Sequence, residues 1–121
     1  MRPKGLVPIV NVSSIEQSFA WFAKLGWEKA WDWGSPPDFG GVCAGDQQIF
    51  LCLDGQGGRG EGGAWLAFSV DDVDEAYEEC VAKGIEVVQP PADRPWNLRE
   101  MLVRHPDGHM IRIGHHLGEH E

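Results

Sequence analysis

Five histidines, three cysteines, six tryptophans and one glycine-rich run are where this 121-residue chain has residues able to do chemistry. All five histidines lie after position 104: His105, His109, His115, His116 and His120. Imidazoles bind metals and move protons. His105 and His109 flank a turn, and His115, His116 and His120 fall in a tail. Nothing in that tail suggests an ordered shell around a metal, so it offers at most adventitious binding. Cys43, Cys52 and Cys80 are odd in number and none has CxxC spacing, which fits neither a disulfide scaffold nor a zinc knuckle. Each lies in an apolar stretch, with no histidine beside it to lower its pKa. They read as small buried hydrophobes, not nucleophiles.

The run Gly55-Gln56-Gly57-Gly58-Arg59-Gly60 is formally a GxGxxG. A dinucleotide site needs a helix immediately after it, so that the helix N-terminus can hold the pyrophosphate. Here the next element, residues 64–70, reads as a strand, and no Gly-Lys-Ser/Thr follows. The run is therefore expected to be a flexible linker.

The tryptophans are the more informative group. Trp21 lies near the apolar side of a helix and Trp27 follows that helix, so both read as packing residues. With a period of two, Trp27, Trp31 and Trp33 share one face of a strand. Trp96 sits in an Arg-Pro-Trp loop, where an aromatic has no evident packing reason. Flat rings of this kind can sandwich a planar heteroaromatic ligand, each stack adding ~0.5–1.5 kcal/mol beyond burial.

The elements that must position these residues are written twice in the chain. A first helix carries Ile15, Phe19, Phe22 and Leu25 on one face, and a second carries Val73, Ala76, Tyr77, Cys80 and Val81. Ser13 with Glu16, and Asp72 with Glu75, are start signals, and Gly26 and Gly84 are left-handed stops. Val12 and Val70, Ile15 and Val73, Phe19 and Tyr77, and Gly26 and Gly84 all stand 58 residues apart. Strands are expected at 6–12, 27–33, 41–44 and 48–53, and again at 64–70, 85–89, 98–104 and 110–115. Gly45-Asp46 and Pro106-Asp107-Gly108 are turns before the two last strands, where Ile49 and Leu51 match Ile111 and Ile113 at an offset of 62. This is an internal duplication of strand-helix-strand-strand-strand. It gives a first module over 1–54, a linker over 55–63, a second module over 64–115 and a tail over 116–121.

Composition narrows the partners. Nineteen acidic against ten basic residues give a net charge of −9, which disfavours nucleic acid and anionic membrane and favours a cationic guest. No apolar run approaches the ~20 residues needed to cross a bilayer. With no evident export signal and no disulfide pattern, a cytoplasmic location is expected. Asp32, Asp38 and Glu61 are acids near the tryptophans and suited to an amine.

The segment Val7-Pro8-Ile9-Val10-Asn11-Val12-Ser13-Ser14-Ile15-Glu16, with Phe19, Phe22 and Leu25-Gly26-Trp27, resembles the first module of the glyoxalase/bleomycin-resistance/dioxygenase (vicinal oxygen chelate) superfamily. Ala67-Phe68-Ser69-Val70-Asp71-Asp72-Val73 with Gly84-Ile85 resembles the start of its second module, and His105-Pro106-Asp107-Gly108-His109-Met110-Ile111 its last hairpin. The resemblance implies an α+β fold of two tandem βαβββ modules, a curled mixed sheet around a cleft with helices outside. The stretches Asp38-Phe39-Gly40-Gly41-Val42, Ala64-Trp65-Leu66-Ala67-Phe68 and Arg94-Pro95-Trp96-Asn97-Leu98-Arg99-Glu100-Met101 are most similar to the bleomycin-resistance branch. That branch implies a homodimer that sequesters an antibiotic without turnover.

In the enzymatic branches four inward strand positions hold His, Glu or Gln. Carried onto this chain, they are Val7, Phe50, Trp65 and Arg112. Three of these offer no donor and the fourth is a cation, so the resemblance without its ligands implies no metal and no cofactor. In the last strand Arg112 faces the cleft, while His109 and His115 share the opposite face with Ile111 and Ile113. The expected ligand-binding residues are Trp31, Trp33, Asp38, Phe39 and Phe50 in the first module. In the second they are Trp65, Trp96, Leu98, Arg99, Met101 and Arg112. Arg99 and Arg112 suit a carboxylate or carbonyl, or an acid across a dimer interface. The expected function is a bleomycin-resistance-like binder of a cationic, planar-ring antibiotic. The alternatives are a metal-dependent glyoxalase or dioxygenase-type enzyme, or a binder of another metabolite.

Overall fold

A computed structural model describes residues 1–55 and 57–118; Gln56 of the glycine run and His120 of the tail lie outside the described residues. The chain divides into two compact units at Gly63/Ala64. Unit 1 runs β1 (Ile9–Val12), α1 (Ile15–Ala23), β2 (Glu28–Trp33), β3 (Phe39–Ala44) and β4 (Gln47–Leu53). Unit 2 runs β5 (Trp65–Ser69), α2 (Val73–Ala82), β6 (Glu86–Arg94), β7 (Leu98–Arg104) and β8 (Met110–His116). Each unit forms its own four-stranded mixed sheet, in the order β1-β4-β3-β2 and β5-β8-β7-β6. The expected α+β fold of two βαβββ modules is what the chain adopts.

The duplication holds at the level of single hydrogen-bonded partners. Ile9 faces Phe50 across the parallel β1–β4 pair, and Ala67 faces Arg112 across β5–β8. Those pairs are related by the offsets of 58 and 62 that the sequence shows. Across the antiparallel pairs, Phe39 faces Cys52 and Gly41 faces Phe50, while Glu100 faces Gly114 and Leu102 faces Arg112.

In each unit one helix covers one face of the sheet. Val10, Val12, Ile15, Trp21, Phe22, Trp27, Val42, Ile49 and Leu51 form the core of unit 1. Val73, Cys80, Ile85, Met101, Val103, Ile111 and Ile113 form that of unit 2. Burial raises the Cys80 thiol pKa, as expected of an inert core cysteine.

Several boundaries differ from the sequence expectation. The first strand begins at Ile9, not Leu6, because Pro8 has no N–H to donate; its carbonyl still accepts from Phe50 N at 2.9 Å. Helix α1 is capped one residue later than the Ser13–Glu16 box: Ser14 is extended and its side chain accepts from Gln17 N. Asp72 caps α2 as expected, accepting from Asp74 N and Glu75 N. Val81 is exposed, and Ile85 fills the core beyond Cys80 instead. Strand β6 runs on to Arg94 through Pro90 and Pro91, which an edge strand tolerates because it needs fewer donors. The described residues of the linker are engaged in hydrogen bonds and an ion pair. Asn11 Nδ2 donates to Gly55 O and Gly57 O at 2.9 and 2.8 Å, Arg59 pairs with Asp54 at 3.2 Å, and residues 60–62 form a 3-10 turn.

Candidate functional site

The site is built on the face of unit 2 that α2 does not cover. Alternation along β7 and β8 sends Met101, Ile111 and Ile113 to the helix side, and Glu100, Leu102 and Arg112 to the other. Trp65 heads β5 and is placed by the last hairpin. Ala64 N donates to His109 Nδ1 at 2.8 Å, and Met110 N donates to Ala64 O at 2.8 Å. Trp96 stands on the tight turn between β6 and β7. That turn closes through Asn97 N to Arg94 O at 3.2 Å, with Asn97 at φ 66, a left-handed conformation asparagine tolerates. Leu117 N and the Asn97 side chain tie the turn to the end of β8.

Three side chains lock one another here. Glu100 Oε1 accepts from Trp96 Nε1 at 2.8 Å and from Arg112 Nη2 at 2.6 Å. The Arg112 guanidinium also lies 5.4 Å from the centre of the Trp96 ring, a cation–π distance. Glu100 is 7% exposed, so its charge depends on these donors. Around the three lies a cavity of about 280 Å³, bordered also by Trp65, Gln89, Arg94 and Met101. A smaller hollow of about 100 Å³ shares Glu100 and Arg112 and adds Ala67, Leu98 and Gly114. Trp65 and Trp96 are 63% and 54% exposed, so their rings are open to a guest. Arg94 Nη2 donates to Gln89 Oε1 at 3.1 Å.

The structure thus brings Trp65, Trp96, Leu98, Met101 and Arg112 to one region, with Met101 presenting its strand from the core side. Arg99 it turns to the other face. There Arg99 donates to Asp93 at 2.9 Å and Asp74 at 3.0 Å, and these hydrogen bonds raise its pKa. Glu100, Gln89 and Arg94 belong to the cavity without having been singled out in the sequence. The signal for Glu100 was its alternation with Leu98 and Leu102, which places a carboxylate on the Arg112 side of β7.

Unit 1 treats its corresponding face differently. Trp31, Phe39 and Phe50 cluster there, with centroids 5.2, 5.1 and 5.8 Å apart. Trp31 Nε1 donates to Gln48 Oε1 at 3.4 Å, and a Cβ on Gly41 would come within 2.5 Å of that nitrogen. Trp33 and Asp38 are exposed at the end of the sheet. Trp27 does not share their face. A register shift between Lys29 and Trp31 reverses the alternation, so Trp27 packs against Phe22 while Trp31 lies on the opposite side. Asp32 is engaged by Lys29 at 2.7 Å.

The last hairpin of unit 2 buries two histidines. His105 and His109 are 1% and 2% exposed, with ring centres 5.4 Å apart. His105 Nδ1 accepts from Asp107 N at 2.9 Å. Burial, with help from neighbouring His109 and against Asp107, pushes its pKa down to about 4. His115 Nδ1 accepts from Val73 N at the start of α2, on the helix side of β8.

The four positions onto which the resemblance carries the family's metal ligands do not fit a metal. Val7 and Phe50 in unit 1 offer no donor, nor does Trp65 in unit 2, and Arg112 is a cation already bonded to Glu100. Among the described residues no three His, Cys, Asp or Glu side chains are grouped to hold an ion. Also among the described residues, no helix is long and apolar enough to cross a membrane.

The sequence model of the Glyoxalase/Bleomycin resistance protein/Dioxygenase superfamily matches residues 6–113. The chain belongs to that superfamily. Solved structures agree on the fold of this superfamily member. TioX from Micromonospora sp. ML1 superposes with a TM-score of 0.80 at 23% identity, over 95% of this chain and 100% of TioX. A superfamily member from Sphaerobacter thermophilus DSM 20745 gives 0.78 at 25% identity, over 94% and 98%. Among curated proteins, the uncharacterized protein YraH of Bacillus subtilis (strain 168) is 39% identical over 49 residues. That match spans 40% of this chain and 38% of YraH.

Proposed function

We propose that this superfamily member is a bleomycin-resistance-like binding protein that sequesters a planar-ring antibiotic or related small molecule without chemical turnover. The observation that carries the reading is the cavity flanked by the open rings of Trp65 and Trp96 around the Glu100–Arg112–Trp96 lock. The Trp96 ring, held by its hydrogen bond to Glu100, loses little freedom when a guest stacks on it, so stacking there converts efficiently into affinity. The cavity's lining holds no serine, cysteine, histidine or lysine, and its one carboxylate, Glu100, is paired with Arg112 and Trp96. That supports holding a guest over transforming it.

The proposal includes a two-fold homodimer in the cytoplasm, each copy contributing one such cavity. Bleomycin is the first ligand to titrate, because a net charge of −9 accelerates encounter with a cationic drug. Calorimetry is expected to show saturable heat, tryptophan emission to change on binding, and mass spectrometry to recover the ligand unaltered. Stoichiometric metal in the purified protein, with conversion of the ligand that chelator abolishes, would overturn the reading in favour of a metal-dependent enzyme. Sedimentation showing only monomer would remove the dimer.

A further inference from the structure

The overall charge and the charge of the cavity have opposite signs. We infer, resting on the binding function proposed above, that the unit 2 cavity selects a planar aromatic carboxylate over a planar aromatic amine. The cavity's carboxylate, Glu100, is already used: one of its oxygens accepts from both Trp96 Nε1 and Arg112 Nη2. Its charge is balanced by Arg112. Arg94 is left over, because among the described residues its side chain bonds only the neutral Gln89 amide and no carboxylate. The acid beside it in sequence, Asp93, is engaged by Arg99 on the other face of the sheet.

The lining therefore carries one uncompensated guanidinium next to two open indole rings. A guanidinium presents a planar fork of donors that matches a carboxylate, and low-dielectric walls strengthen the pair. The −9 charge acts at long range and is screened over ~8 Å at physiological salt, so contact selectivity belongs to the lining. An amine in this cavity would meet the guanidinium groups of Arg94 and Arg112, and the one carboxylate of the lining, Glu100, already has its charge balanced by Arg112. The ligand class is thus a flat aromatic ring bearing a carboxylate, ring on the tryptophans and acid on Arg94.

The test uses three probes of one shape: 1-naphthoate, 1-naphthamide and 1-naphthylmethylammonium. Each is titrated into the full chain while the indole N–H resonances of Trp65 and Trp96 are followed by NMR. Naphthoate is expected to bind about tenfold or more tighter than the ammonium probe, the size of one charge-assisted hydrogen bond. Arg94→Gln is expected to abolish that preference and Arg94→Lys to restore part of it, both with unchanged circular dichroism. Tighter binding of the ammonium probe, or a preference unchanged in Arg94→Gln, overturns the carboxylate inference while the binding function stands. If no probe of any charge shifts either indole while bleomycin still gives saturable heat, the inference fails and the binding function stands; if bleomycin gives no heat either, both fail.

Discussion

In unit 1 the sheet face away from α1 is filled by its own rings, with Trp31, Phe39 and Phe50 mutually in contact and Gly41 making room for the indole. In unit 2 the ladder positions equivalent to Phe39 and Phe50 hold Glu100 and Arg112, and the position equivalent to Gly41 holds Leu102. Aromatic side chains here satisfy one another at centroid distances of 5–6 Å. The ion pair instead draws in Trp96 and leaves a cavity beside it. One topology thus serves a self-filled face and a face with space for a guest. The difference rests on a few outward-facing positions of two strands, which the core does not constrain.

The largest expected contrast between the two units is in pH dependence. The unfolded chain takes up a proton at His105 near pH 6.5, while the folded chain does so only near 4. Stability is therefore intact above pH 6.5, falls as pH drops from 6.5 to 4, and loses no more to this residue below 4. The whole effect is on the order of 3 kcal/mol. The matching turn of unit 1, at Gly45-Asp46, buries no ionisable group, so the loss belongs to unit 2. Subtracting the urea stability profile of His105→Gln from that of the natural chain isolates this slope. A flat difference curve would contradict it.

Next in size is the lock itself. Glu100→Ala leaves Trp96 Nε1 and a partly buried Arg112 without their acceptor, at a cost of about 2 kcal/mol. Replacing both partners at once, Glu100→Phe with Arg112→Phe, gives unit 2 the residues unit 1 uses. Exchanging a paired charge for packed rings is expected to return stability to within ~1 kcal/mol of the natural chain, while ligand binding is lost. If the double variant is as unstable as Glu100→Ala, the two faces are not interchangeable.

Gly41→Ala probes the opposite unit. Its Cβ would meet Trp31 Nε1 at 2.5 Å and Cε2 at 2.9 Å, so the ring must move. A cost of about 1–2 kcal/mol is expected, with altered near-UV circular dichroism and no change in ligand affinity. The smallest effect on stability belongs to Trp65→Ala. A side chain this exposed contributes within ~0.5 kcal/mol to folding, yet its loss is expected to remove most ligand binding. A large drop in Tm for Trp65→Ala would mean that this ring serves folding rather than a guest.

The repeated helix patterns, the caps at Asp72, Gly26 and Gly84, and the constant offsets made the two modules legible in the residues alone. These are properties of residue type and local period, and local physics decides them. The face of Trp27 relative to Trp31 was not legible, because a one-residue bulge reverses the alternation and only the pairing partner shows where it falls. Nor was the division of labour between Arg99, held by Asp93 and Asp74, and Arg112, held by Glu100. Arg99 reaches Asp93 across a hairpin and Asp74 on the helix, and Arg112 reaches Glu100 on the neighbouring strand. Which acid each one reaches depends on strand register and helix placement, and those exist only once the sheet has closed on its helix.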